Sequence, residues 1–137
     1  MCEHLFACGT LRPSLAPPEL KEMIGQWRWI VAGYTRGRLY DLGEYPGAIL
    51  DPDCDATITG EVFQLPDASA TLSALDAYEG FDPRDPDSSL FARRKCEVAL
   101  DDGAKLECWM YVYNRQAPLA TLITSGDYLL YKQEREI

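Results

Sequence analysis

The sequence predicts a single α+β domain, 1–137, built on a curved or partly closed mixed sheet with short helices against it. Three observations predict this class. Apolar, β-branched and aromatic runs outnumber helical patterns along the chain. Their order is strand, helix, several strands, helix, hairpin and short helix, with no repeat and no linker between them. A length of 137 residues suits one core.

The first strand is expected at residues 4–8. Its apolar run stops abruptly at Gly9, polar Thr10 and Arg12 follow, and Pro13, Pro17 and Pro18 make 12–18 a loop. A buried strand that stops this sharply presents backbone N–H groups at its carboxyl end, and the glycine lets a ligand come close to them. Such groups bind carboxylate or phosphate. On residue types alone the plainer reading, a strand followed by a tight turn, comes first.

Pro18, Glu19 and Leu20 open a short helix, with a proline in the first turn and acids where the macrodipole favours them, and Gly25 stops it. The aromatic and β-branched run from Gln26 to Ala32 reads as strand, resuming after Gly33 through Tyr40. A turn-rich stretch, Asp41 to Gly47, precedes a short strand at Ala48-Ile49-Leu50. Thr57 to Leu65 alternates as a strand with Gly60 inside it, which signals a bulge or a close backbone approach.

Pro66 to Ser69 caps a helix running to about Tyr78, with Leu72, Leu75 and Tyr78 at helical spacing toward the core and Gly80 as its C-cap. The acidic, proline-rich segment 82–87 reads as a mobile surface loop. Leu90 to Leu100 and Leu106 to Tyr113 form a hairpin around Asp101-Asp102-Gly103, and the second strand is apolar or aromatic on both faces, as a strand buried on both sides would be. Ser125 to Lys132 closes the chain as a helix, with Leu129 and Leu130 packing.

Composition narrows the function. The chain is 47% apolar and 26% charged, an ordinary globular balance, and its formal net charge is −9. That acidity argues against nucleic acid and against an anionic membrane surface, because both need a basic face. No stretch is long enough to span a membrane, and Met1-Cys2-Glu3-His4 lacks the basic start of a signal peptide. Five cysteines, Cys2, Cys8, Cys54, Cys96 and Cys108, form an odd set without C-x-x-C spacing. A disulfide framework or zinc site is not expected, and a reducing cytoplasm fits. With His4 the only histidine, proton transfer falls more naturally to a carboxylate.

Glu79 stands out as a candidate for that role. It occupies the last helical position before the Gly80 cap, where the negative end of the helix dipole opposes it. Residues that break a local rule are candidates for function. Flanked by Tyr78 and Phe81, a desolvated acid would have a raised pKa, which suits a general acid/base. An exposed glutamate fraying into solvent satisfies the same placement.

Several segments carry a family resemblance. Cys8-Gly9-Thr10-Leu11-Arg12-Pro13 resembles the YGTLRPG-type loop of the γ-glutamylcyclotransferase-like family, which includes the avirulence-induced-gene-like proteins. Gly37 to Gly47 is similar to that family's G-x-LYDLG-x-YPG segment, Gly60-Glu61-Val62-Phe63 to its GEVY strand and Leu75 to Gly80 to its LD-x-YEG motif. Phe91-Ala92-Arg93 stands where Y-x-R is usual, and Trp109 to Tyr113 resembles its W-x-Y-x-Y strand. The six matches run in order from residue 5 to about 113.

The resemblance implies a small mixed β-barrel with flanking short helices and a pocket at the barrel mouth. It implies a small-molecule γ-glutamyl substrate whose α-carboxylate is held by the Gly9–Arg12 loop through backbone N–H groups, and Glu79 as the catalytic acid/base. The pocket residues carried over are Cys8, Gly9, Thr10, Leu11, Arg12, Tyr45, Phe91 and Tyr113. The reaction would be intramolecular: the α-amine of the γ-glutamyl group attacks its own side-chain amide, giving 5-oxoproline and a released amine or amino acid. The nucleophile belongs to the substrate, so proximity does much of the work, and no metal or cofactor is called for. The protein is expected to be a monomer or homodimer. Two positions depart from the pattern: Cys8 and Phe91 stand where tyrosines are usual, which bears on the substrate more than on the fold.

Two other readings compete. Cys8 as a thiol nucleophile would need His4, but four residues along a strand span roughly 13 Å, too far for a direct hydrogen bond. Alternatively the fold is a non-catalytic binding module for a small carboxylated metabolite. Arg93 is a candidate to orient Glu79 or the substrate, or one half of an ordinary ion pair. Trp27 and Trp29 are candidates for an interaction surface or for sheet packing.

Overall fold

A computed structural model of the chain describes residues 2–115 and 120–135. Among the described residues seven strands and three α-helices follow one another: β1 (His4–Ala7), α1 (Pro18–Ile24), β2 (Arg28–Asp41), β3 (Pro46–Leu50), β4 (Thr57–Gln64), α2 (Ala68–Glu79), β5 (Phe91–Leu100), β6 (Lys105–Tyr113), β7 (Thr121–Leu122) and α3 (Tyr128–Arg135). Five of the strands close a mixed β-barrel in the order β2-β4-β1-β6-β5, with β5 returning to β2. Every neighbouring pair is antiparallel except β1 and β6, which run parallel with Leu5 opposite Trp109.

The two expected strands of 26–40 are one. β2 runs unbroken through Gly33, with a bulge between Trp29 and Val31, first along β4 and then along β3. At Gly33 the barrel closes. A Cβ there would lie 2.7 Å from Val98 Cγ1 and 2.8 Å from the Ala99 carbonyl, so only a residue without a side chain lets β5 reach β2. Gly60 marks the close approach expected within β4, not a bulge, facing the Ala7 carbonyl and the Phe6 ring.

Strand alternation divides the apolar residues between two cores. On β1, Phe6 points into the barrel with Ile58, Val62, Val98, Cys108 and Met110. Its other face carries Leu5 and Ala7, which pack outside the barrel against Leu20 and Ile24 of α1 and Leu72 and Leu75 of α2. β6 is two-faced in the same way: Met110 and Val112 face inward, and Tyr111 lies under the helices. The helix side also takes Trp27, tilted against Phe63 at 5.7 Å, whereas Trp29 is exposed.

Three expectations are corrected. Tyr78 does not follow Leu72 and Leu75 into the core but is exposed at the end of α2. In α3 it is Tyr128 that packs into the barrel core, while Leu130 is exposed, because the helix starts after an Asp127 cap that accepts from the Leu130 N–H. Segment 82–87 is an irregular loop ending in a single 3-10 turn, Pro86–Ser88, but it is tied down: Asn114 Nδ2 donates to the Pro86 and Ser89 carbonyls, and the Arg115 guanidinium to those of Ser88 and Ser89. Among the described residues no helix is long and apolar enough to cross a membrane.

Candidate active site

The strand that divides the cores also delivers the site. Where β1 ends, the Arg12 N–H donates to the Gly9 carbonyl at 3.0 Å and turns the chain tightly. Gly9 sits against β3: a Cβ there would meet Pro46 Cγ at 2.7 Å. This loop forms one wall of a cavity of about 510 Å³ to which Cys8, Gly9, Thr10 and Leu11 all contribute. Tyr45 and Phe91 form another part of the wall, their rings edge to face at 5.5 Å.

Glu79 comes to the same cavity from α2. Asp67 caps the start of that helix by accepting from the Ala70 N–H. Gly80 ends it in the left-handed conformation, φ 73°, which a side chain would disfavour. Leu72 and Leu75 hold the helix on the barrel, so its last residue is carried over the cavity mouth. Burial pushes the Glu79 carboxyl up from 4.5 to about 7, and no charged partner offsets that desolvation.

Beneath Glu79 lies a polar cluster that sequence reasoning did not single out. Asp76, one helical turn earlier, is buried and accepts from Arg93 and from Tyr111 Oη, the latter at 2.7 Å. The tyrosine also lines the cavity. Its hydroxyl pKa is raised by burial and by the bond to Asp76, so it stays a neutral donor. Arg93 therefore pairs with Asp76 and does not pair with Glu79. The clue was present in the alternation of β6, which puts Tyr111 on the helix side of the barrel.

Two carried-over residues are not brought to the cavity. Arg12 is buried, and its guanidinium spans Glu61 (Nε to Oε2, 3.2 Å) and Asp127 (Nη1 to Oδ1, 3.0 Å), locking the loop to β4 and to the start of α3. Tyr113 stands behind Phe91, rings edge to face at 5.9 Å, and supports the wall without lining it. Cys8 does line the cavity, but burial pushes its thiol up to about 12, which leaves it protonated and un-nucleophilic at neutral pH. The charged side chains in the wall are Glu44 and Glu79, both acidic. Among the described residues no cluster of His, Cys, Asp and Glu could hold a metal ion.

The same architecture recurs in solved structures. YkqA from Bacillus subtilis superposes with a TM-score of 0.74 at 23% identity, over 99% of this chain, which spans only 43% of that longer protein. A mouse avirulence-induced-gene-like protein superposes with a TM-score of 0.64 at 24% identity, over 85% of this chain and 80% of that one. In sequence, the gamma-glutamylcyclotransferase family protein YtfP of Escherichia coli K12 is 35% identical over 92 residues, 67% of each protein. A protein of Methanocaldococcus jannaschii, provisionally named a gamma-glutamylcyclotransferase, is 28% identical over 95% of this chain and 98% of its own length. The family profile described as "Gamma-glutamyl cyclotransferase, AIG2-like" matches residues 5–130, and with that match over nearly the whole chain this protein belongs to that family.

Proposed function

We propose that the protein is a γ-glutamylcyclotransferase in which Glu79 moves the proton and the Cys8–Leu11 loop holds the substrate. The observation that carries this reading is a desolvated carboxylate with a pKa of about 7 on the wall of the cavity that the glycine loop also lines.

The substrate is a γ-glutamyl amide. Its α-carboxylate has no side-chain cation to meet in the wall, because Arg12 is committed to Glu61 and Asp127. Backbone N–H groups of Gly9, Thr10 and Leu11 fill that role, as successive amides in a turn do for anions. Holding the carboxylate there folds the γ-glutamyl chain back, so that its α-nitrogen approaches its own Cδ carbonyl.

The α-ammonium must first lose a proton, and a carboxylate near pH 7 is well matched to take it. The nitrogen then forms a bond to Cδ. As the tetrahedral centre collapses, the Cδ–N bond to the leaving amine breaks and Glu79 returns the proton to that nitrogen; the second proton shed by the ring nitrogen passes by the same carboxylate to the freed amine, which leaves as its ammonium ion. Every atom is accounted for in 5-oxoproline and the free amine, and the carboxylate ends as it began.

Incubation with γ-glutamyl amides and assay of 5-oxoproline tests the reading. The expected result is turnover by the wild-type protein and none by Glu79→Gln, whose fold circular dichroism shows intact. Full activity in Glu79→Gln overturns the assigned role. Tight binding of γ-glutamyl compounds without any turnover would make the protein a binding module instead.

A further inference from the structure

The wall around Glu79 bears on what is released. Tyr78 and Leu90 are large apolar residues left 43% and 39% exposed, yet both line this cavity. Tyr78 adjoins Glu79 on α2, and Leu90 precedes Phe91, whose ring meets Tyr45. Four apolar or aromatic side chains thus share the cavity wall with the carboxylate, two of them exposed. Exposed apolar surface at a cavity rim costs free energy until something covers it.

Charge points the same way. Glu44 and Glu79 are the charged groups of the wall. The nearby cations are occupied, Arg12 by Glu61 and Asp127 and Arg93 by Asp76. A leaving group with its own carboxylate would therefore share this wall with two acids and meet no cation in it.

Resting on the function proposed above, we infer that the leaving group is a bulky apolar amine without an acidic substituent, seated on Tyr78, Leu90, Tyr45 and Phe91. The bond changes are those already given. The γ-glutamyl part occupies the glycine loop, the scissile amide lies by Glu79, and the apolar amine covers the rim.

Three substrates test this: the γ-glutamyl amides of methylamine and of 2-phenylethylamine, and γ-glutamylphenylalanine, each followed by 5-oxoproline release. The phenylethylamide is expected to exceed the methylamide in kcat/KM by about tenfold or more, the effect of burying a phenyl group. It is expected to exceed γ-glutamylphenylalanine by a similar factor, although the less basic nitrogen of phenylalanine is the better leaving group. The double variant Tyr78→Ser/Leu90→Ser, altered only at exposed positions, should compress the first ratio toward one. Glu44→Gln should compress the second. Equal rates for the phenylethylamide and methylamide, or a preference for γ-glutamylphenylalanine, overturn the inference while leaving the cyclotransferase reading intact. Absence of 5-oxoproline from all three overturns that reading, and the inference with it.

Discussion

Arg93 and Asp76 are joined by two parallel hydrogen bonds, 2.8 Å from Nε to Oδ1 and 3.0 Å from Nη2 to Oδ2. The pair fastens α2 to β5 one turn before Glu79. Bidentate geometry and burial make it worth more than a surface ion pair. Asp76→Ala would leave a guanidinium mostly out of water with no counter-charge, and should cost about 3–5 kcal/mol in urea denaturation. Tyr111→Phe removes one bond to a charged acceptor and should cost about 1.5–3 kcal/mol.

Glu79 ties stability to pH. Its folded pKa is raised to about 7 from 4.5, so between those values the folded state holds a proton that the unfolded state has released. Stability from this group is complete below about pH 4.5, declines as pH rises, and is fully lost above about pH 7. Glu79→Gln should therefore match the wild type in thermal stability at pH 4 and exceed it at pH 8, by on the order of 1–3 kcal/mol. In activity the sign is opposite: kcat/KM should rise with pH to a plateau above about 7, since the ionised carboxylate accepts the proton.

Arg12 is a structural residue by its contacts, and its removal should show that. Arg12→Met strips two carboxylates of their partner, though each keeps about a quarter of its side chain in water. A loss of about 2–3 kcal/mol is expected in chemical denaturation. KM for a γ-glutamyl amide should change far less than it does for a variant that alters the loop backbone itself, such as Gly9→Ala, whose Cβ would press on Pro46.

Cys8 should be inert. With its thiol held near 12, iodoacetamide at pH 7.5 should leave it unmodified in the folded protein. Cys2, the one cysteine of the five that is not buried, should be the site labelled, as peptide mass spectrometry would show. Activity should survive the treatment and survive Cys8→Ser.

What the sequence made legible was whatever depends on near neighbours. The α2 helix, its Asp67 and Gly80 ends and the exceptional placement of Glu79 follow from residues within one or two turns. So do the β5–β6 hairpin and its Gly103 turn, where φ is 86°. What the sequence hides are contacts whose partners are far along the chain. The Arg12 side chain is spent on Glu61 and Asp127, and only the closed barrel brings those three together. Asp76 was hidden for the same reason, since Arg93 and Tyr111 reach it from β5 and β6. Segment 82–87 looked unanchored because its fastenings, Asn114 and Arg115, lie beyond a hairpin.

The parallel pairing of β1 with β6 has a consequence in time. During synthesis β1 leaves the ribosome roughly a hundred residues before its neighbour at Trp109 exists. Its other neighbour, β4, comes earlier but cannot close the ring alone. Long-range pairing of this kind is slow, because chain entropy is lost before contacts repay it. The loop that follows β1 is thus among the first segments made and among the last put in place. A nascent or truncated chain lacking β6 has Glu79 and the glycine loop but no site, so any activity begins only when the barrel is complete.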